Sequence, residues 1–252
     1  MEHEAHIAQA VFSPDGQHLA TASWDGTTRV WDAASGAPIG LPLQHAWGVN
    51  ALAFRGDGAR LATASMDARN GRVFRYEVEV PGEWEHAPGA ARIWDVATSQ
   101  PLTAPMAHVG NVWSVAFSSD GTRLLTTCEA VAQVWDAATG ERIGAPLVHI
   151  EAILSACFDN AGDRIVTTSE DGTGRLWRVS TGRPIAATLS HRSQAVYCAR
   201  FSPDGRFVAT GGGDGTARIW DAYTGRPLGE PMRHNFAFED VRSVCFSSDG
   251  GY

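Results

Sequence analysis

The sequence predicts an all-β fold in which small four-stranded antiparallel sheets repeat along the chain. Three observations lead to this prediction: a period of about 42 residues, four strand-like runs in each period, and turn residues between the runs. A tryptophan marks the third run of each period, with spacings of 63, 41, 42 and 43 residues: Trp31, Trp94, Trp135, Trp177 and Trp220. Repeated four-stranded sheets of this length are the blades of a β-propeller.

A histidine precedes the first run of each period, at His3, His45, His108, His149, His191 and His234. The spacing of 63 residues between His45 and His108 is one period plus 21 residues, so the second blade carries an insertion. We expect one domain over residues 1–252, with five complete blades and one strand of a sixth. The expected blades are about 3–44, 45–107 with insertion 69–89, 108–148, 149–190 and 191–233, with a partial blade at 234–252.

The runs within a blade are separated by recognisable turns. First runs such as "NVWSVAF" are followed by "SPDG", "RGDG", "SSDG" or "DNAG", which are typical of type I turns closed by a glycine of positive φ. Second runs such as "LATAS" end in a tight D-G turn, and third runs read "TRVWD". Fourth runs hold a proline that cannot donate to a strand ladder, so we expect them at sheet edges: Pro42, Pro105, Pro146 and Pro231.

The repeat histidine, S-x-D-G and W-D at these offsets resemble the WD-repeat β-propeller family across essentially the whole chain. The pattern is most similar to bacterial members with near-identical blades, some of which form the regulatory half of protein kinases. All 20 basic residues are arginine, which we interpret as codon bias in a G+C-rich, bacterial genome. No kinase signature occurs in the sequence.

The resemblance implies a structural network in each blade, running from Trp to Ser, His and Asp. Its members would be His3, Ser23, Asp25, Trp31, His45, Ser65, Asp67, Trp94, His149, Ser169, Asp171 and Trp177. His, Ser and Asp could be mistaken for a catalytic triad, but a catalytic site is needed once and this set recurs. Blade 3 has Cys128 for Ser and lacks the D-G turn, and blade 5 has Gly212 for Ser. We therefore predict that the corner between the second and third strands of blade 3 is the softest.

Composition excludes several classes of function. A net charge of −8 disfavours nucleic acid, and no apolar run is long enough for a membrane span. The four cysteines lack C-x-x-C spacing and lie in strand-like runs, which favours buried free thiols in a reducing cytoplasm. We find no residue pattern for a metal or cofactor.

Function is therefore expected on loops that a rigid scaffold presents. The loops before first strands and the D-G turns should form one rim, whose variable positions include His6 and Asn111. The candidate partner-binding residues on this rim are Trp24, Trp47, Asn50, Met66, Trp113, Leu154, Glu170, Tyr197 and Arg242. Aromatic residues beside Met and Arg are typical of binding hot spots. The alternative is that some of these rings pack against neighbouring loops.

The insertion at 69–89 replaces the D-G turn of blade 2 and should project from the same rim. Phe74, Tyr76 and Val78 alternate with charged residues, which predicts a half-buried strand of a β-hairpin. This hairpin is either a partner-binding arm or a tolerated insertion that covers its own blade.

The run Val241–Phe246 reads as another first strand, without the three strands that should come after it. Repeat arrays bury their apolar faces on neighbours. We expect that the natural protein continues beyond Tyr252. The alternatives are that five blades close with an orphan strand, or that two chains complete each other.

The sequence predicts a non-catalytic, cytoplasmic scaffold that binds a protein or peptide on the rim, with neither nucleic acid nor membrane as partner. The alternative is a regulatory or sensor propeller of a larger signalling protein such as a Ser/Thr kinase. A propeller enzyme would need convergent carboxylates or a metal cluster, and the acidic residues are mostly turn aspartates instead.

Overall fold

The computed structural model describes residues 2–66, 88–191, 195–233 and 240–247. These residues form strands and turns arranged as five antiparallel sheets. The predicted all-β class with four-stranded blades is therefore confirmed. Within the described ranges, there is no helix with the length and apolar character of a membrane span.

The strands are arranged in chain order within each blade. Blade 1 contains β1 (Ile7–Phe12), β2 (His18–Ser23), β3 (Thr27–Asp32) and β4 (Pro38–Gln44), and blade 2 contains β5 (Val49–Phe54), β6 (Arg60–Ser65), β7 (Ala90–Asp95) and β8 (Met106–Ala107). Blade 3 contains β9 (Val112–Phe117), β10 (Arg123–Cys128), β11 (Val131–Asp136) and β12 (Arg142–Val148). Blade 4 contains β13 (Ile153–Phe158), β14 (Arg164–Ser169), β15 (Thr173–Arg178), β16 (Arg183–Pro184) and β17 (Leu189–Ser190). Blade 5 contains β18 (Val196–Phe201), β19 (Phe207–Gly212), β20 (Thr216–Asp221) and β21 (Pro227–Arg233).

The chain divides into two compact units. The first comprises Met1–Glu129 and Trp135–Glu141, and the second comprises Ala130–Val134 and Arg142–Tyr252. In each unit, apolar side chains of consecutive blades form shared clusters, which is how repeat proteins bury a core. Their members include Leu61 and Trp94 between blades 1 and 2, Leu124 and Trp135 between blades 2 and 3, and Val166 and Trp220 between blades 4 and 5.

The turn after each first strand shows why its sequence repeats. In blade 1, the N–H of Gly16 donates to the carbonyl of Ser13 at 2.9 Å, and the hydroxyl of Ser13 donates to Asp15 at 2.5 Å. Gly16 has a φ of 70°, where a residue with a Cβ is strained. The other described closing glycines have the same conformation: Gly58, Gly121, Gly162 and Gly205.

Proline-containing fourth strands lie at sheet edges, as predicted. β4, β12 and β21 each occupy one end of the strand order in their sheet. In blade 2 the fourth strand is reduced to β8, which directly follows Pro105, and in blade 4 it is split into β16 and β17. An edge strand tolerates these interruptions because only one of its sides carries a ladder.

The prediction of a sixth first strand at Val241–Phe246 is wrong for the described residues, because 240–247 have no strand conformation. The backbone of this run instead lies against blade 5, where the N–H of Val241 donates to the carbonyl of Gly212 at 3.0 Å. A Cβ at Gly211 would lie 2.5 Å from the carbonyl oxygen of Val241, so this approach requires glycine.

Two further predictions concern the insertion in blade 2 and the burial of the four cysteines. Most of the insertion at 69–89 lies outside the described residues, and so does the hairpin predicted there. All four cysteines are free, as expected, but only Cys128 and Cys198 are buried. Cys157 is partly buried and Cys245 is exposed, because Cys245 lies in the run that has no strand partner.

Candidate partner-binding rim

A buried hydrogen-bonded chain joins the repeat tryptophan and histidine of blade 1 through a threonine. The indole Nε1 of Trp31 donates to Thr21 Oγ1 at 2.9 Å, and Nε2 of His3 lies 2.7 Å from the same oxygen. On its other side, Nδ1 of His3 lies 2.9 Å from a carboxylate oxygen of Asp25. In blade 4 the same chain runs through Trp177, Thr167, His149 and Asp171.

The serine expected between tryptophan and histidine is outside this chain. Ser23 Oγ instead accepts the N–H of Asp25 at 3.1 Å, and Ser169 does the same for Asp171. The reason is register: Leu19 is the Cα partner of Trp31 on β2, and Ser23 lies four residues further along. At about 3.3 Å per residue, only Thr21 lies on the same face and close enough. The predicted order Trp, Ser, His, Asp is therefore corrected to Trp, Thr, His, Asp.

This correction explains how blade 5 keeps the chain without the serine. Nδ1 of His191 lies 3.0 Å from Asp214, and both His191 and Trp220 bond to Thr210 at 2.8 Å. The change of Ser to Gly212 therefore removes no member of the chain.

The hydrogen bonds of blades 2 and 3 differ more from those of blade 1 than the hydrogen bonds of blades 4 and 5 do. In blade 3, His108 and Trp135 both bond to Thr126, but the sequence has no aspartate between Cys128 and Trp135. In blade 2, Trp94 donates to Thr63 at 3.0 Å, and Ser65 donates to the carbonyl of Ala90. His45 is buried there, whereas Asp67 lies outside the described residues.

The pKa shifts of these histidines are typical of buried residues with a structural role. Burial, together with the positive charge of Arg92, lowers the pKa of His45 to about 3. Burial also lowers the pKa of His149 and of His191, and the neighbouring aspartates only partly oppose it. For Asp171, burial would raise the pKa, but hydrogen bonds from Thr173, His149 and the N–H of Ile150 outweigh it. In blades 1, 3, 4 and 5 the threonine shared by the histidine and the tryptophan is buried, so a substrate has no access to it.

The loop rim comprises the loops before first strands and the turns between second and third strands. In each blade a β-bulge in the first strand inserts one extra residue at the rim, opposite the end of the second strand. Bulges re-aim side chains and are common beside functional sites. The five bulge residues are Ala8, Asn50, Trp113, Leu154 and Tyr197. Four of the nine predicted rim residues therefore share one structural position.

Backbone hydrogen bonds tie the two kinds of rim loop together. The N–H of Trp24 donates to the carbonyl of His6 at 2.9 Å, and that of Met66 donates to Gly48 at 2.8 Å. In blade 4, the N–H of Glu170 donates to Ala152 at 3.0 Å. Each turn residue is thus held next to the residues that lead into the first strand.

In the first unit, most predicted rim side chains pack against neighbouring loops. Trp24 is half-buried, its ring centroid lies 4.5 Å from that of His6, and its backbone approaches Gly48. Asn50 donates to the carbonyl of Val112 at 3.2 Å, and Trp47 and Met66 are partly buried. Trp113 differs, because 50% of its surface is exposed.

In the second unit, Leu154 is 38% exposed and Glu170 is exposed. Tyr197 is partly buried under an arginine. The guanidinium of Arg242 lies 4.7 Å from the centroid of the Tyr197 ring and donates to Asp240 at 2.7 Å. This geometry is a cation–π contact beside a carboxylate.

Exposed rim residues that were not predicted from the sequence include Val109 and Glu129 of blade 3 and Ile150 of blade 4, which is 83% exposed. Val109, in the loop before β9, is 88% exposed. Glu129 forms the shortened turn after β10 with a φ of 49°, which is rare for a residue with a side chain. The missing D-G pair in "TTCEAVAQVWD" was the signal that this corner is different. Among the described residues, no group of three or more His, Cys, Asp or Glu side chains could hold a metal ion.

Comparison with known protein families shows what the repeats are. The family model "WD domain, G-beta repeat" matches residues 1–32, 38–69, 99–136, 145–178 and 182–221, which is more than half of the chain. The computationally designed Ika8 protein has a similar fold in its crystal structure, with a TM-score of 0.74 and 23% sequence identity. That likeness covers 94% of this chain and 64% of the designed chain.

Curated relatives are similar over parts of the chain. Periodic tryptophan protein 2 of Arabidopsis thaliana is 39% identical over 67 residues, which are 27% of this chain and 7% of the relative. Guanine nucleotide-binding protein subunit beta-1 of Caenorhabditis briggsae is 27% identical in an alignment 144 residues long, which covers 47% of this chain and 42% of the relative. The Poly(A)+ RNA export protein of Schizosaccharomyces pombe is 34% identical over 73 residues, or 28% of this chain and 20% of the relative. This chain therefore matches less than half the length of each of these relatives.

Proposed function

The chain belongs to the WD40 repeat family, and on that basis we propose that it is a non-catalytic scaffold that binds a protein or peptide at the loop rim. The observation that carries the proposal is the repeated bulge, which directs a different side chain to the rim from each first strand. A framework of strands and turns that recurs in all five blades and presents a different residue at the bulge position suits recognition.

The distribution of chemistry supports a binding role over catalysis. The histidines and aspartates that could act as acids or bases are bonded to one another in the interior. The rim instead offers apolar and aromatic surface on Trp113 and Leu154. One relative is named as a subunit of a guanine nucleotide-binding protein, which agrees with a role in assembly.

The proposal is tested by comparing the proteins captured by the wild-type chain with those captured by Trp113→Ala. Phe12→Ala is the matched control, since Phe12 is a 65% exposed aromatic at the opposite end of a first strand. We expect a set of proteins that the wild type and Phe12→Ala retain and Trp113→Ala loses. Equal capture by all three chains would contradict a binding role for this rim.

A further inference from the structure

The rim of blade 3 combines an exposed aromatic ring with an exposed carboxylate. Trp113 follows Val112 on β9, Glu129 follows Cys128 on β10, and Val112 and Cys128 are Cα partners in the ladder. Each of the two residues is therefore one position away from the same cross-strand pair, at the rim end of the two strands. The Glu129 carboxylate lies over Gly110, where a Cβ would come within 3.3 Å of its oxygen.

The backbone of Glu129 adopts a conformation that is unusual for a residue with a side chain. Its φ of 49° is the left-handed conformation, which costs roughly 1–2 kcal/mol for a residue with a Cβ. Strain of this kind concentrates at functional sites. Within the described part of the chain, no hydrogen bond or ion pair engages its carboxylate.

Blade 5 shows which group such a pair can hold. Tyr197 occupies the same bulge position as Trp113, and its ring is covered by the guanidinium of Arg242, which is also paired with Asp240. In blade 5, an aromatic ring, a guanidinium and a carboxylate are thus in contact at this rim position. In blade 3 the ring and carboxylate are present, and no guanidinium from the described residues lies over Trp113.

Within the described rim loops of the first unit, the charge favours a cation. The described rim loops of the first unit, at 2–6, 24–26, 45–48, 108–111 and 129, contain glutamates and an aspartate but no arginine. Tryptophan is also the best aromatic partner for a cation.

We propose that Trp113 and Glu129 form a receptor for an arginine side chain of the partner segment, with the guanidinium over the indole and paired with the carboxylate. This inference rests on the proposed function and names the chemistry of its partner. Arginine fits better than lysine because a planar guanidinium can stack on the ring and bond to the carboxylate at once.

The test uses the chain labelled with 5-fluorotryptophan, with N-acetyl-arginine methylamide as the probe. The fluorine resonance of Trp113 is assigned by its loss in Trp113→Phe. We expect it to shift with the arginine probe in a saturable way, and to stay in place with the citrulline analogue, which keeps the shape but lacks the charge. Glu129→Gln should weaken binding about three- to tenfold. Glu141→Gln, an exposed glutamate in the turn before β12, should leave it unchanged.

Three results would overturn the inference: no shift with arginine, an equal shift with citrulline, or equal binding by the Glu129 and Glu141 variants. These results are independent of the capture experiment. Capture that depends on Trp113 without a response to arginine rejects only the arginine receptor. A specific arginine response with capture independent of Trp113 supports the receptor and rejects the proposed scaffold role of the rim.

Discussion

The imidazole of His191 lies directly against Gly212, in the space that a side chain at residue 212 would fill. Blades 1, 2 and 4 have serine at this position, so Gly212→Ser would restore the repeat pattern. We nevertheless expect it to destabilise the protein by about 1–3 kcal/mol, because the added atoms overpack a buried site. Urea unfolding measures the change.

Gly213→Ala is the control for that substitution, since Trp24 and Glu170 occupy the equivalent turn position with large side chains. It should change the midpoint of unfolding little. A stable Gly212→Ser variant would mean that His191 can move away without cost.

The shared threonine should matter more than the serine two residues later. Thr167→Val keeps the shape of the side chain but removes the oxygen that His149 and Trp177 both use. Leaving two buried polar groups unpaired should cost about 2–4 kcal/mol. Ser169→Ala, which loses bonds to the N–H of Asp171 and the carbonyl of Glu151, should cost about 1 kcal/mol. The reverse ranking in chemical denaturation would contradict the order Trp, Thr, His, Asp.

Acidification should destabilise the fold through its buried histidines. The pKa of His45 is about 3 in the folded chain and about 6.5 when unfolded, so the unfolded state binds more protons below pH 6.5. The free energy of unfolding should therefore fall from pH 6.5 towards pH 3, with a loss of about 2 kcal/mol from His45 alone by pH 5. His149 and His191 act in the same direction, because their pKa values are also lowered.

The measurement is the urea midpoint at pH 7.5 and at pH 5. His45→Leu should reduce the pH dependence of the unfolding free energy by about one bound proton, because it removes the histidine that stays neutral only in the folded chain. An unchanged slope in His45→Leu would show that this histidine is not buried in its neutral form.

The corner of blade 3 between β10 and β11 should open more readily than its equivalent in blade 4. His108 bonds to Thr126 but has no aspartate in its own turn, whereas Asp171 holds His149, Thr173 and the N–H of Ile150. Amide hydrogen exchange should therefore be faster at Glu129 and Ala130 than at Asp171 and Gly172. Equal protection of the two corners would contradict this prediction.

The sequence alone determined the repeat, and with it the strands and their order in each blade. The prediction rested on tryptophans and histidines at a period of about 42 residues, on turns closed by residues such as Gly16, and on edge prolines such as Pro42. These features are readable because turn conformation and ladder hydrogen bonding depend on local residue type.

Only the tertiary structure decided which side chains meet. That Thr21 rather than Ser23 joins Trp31 to His3 depends on strand register, and that Trp24 packs on His6 while Trp113 stays exposed depends on contacts between loops. The run at Val241–Phe246 has strand-like residues but no strand conformation within the described residues 240–247. Glu129 was also recognised only in the structure, because its position over Gly110 results from pairing across β9 and β10, which no local pattern specifies.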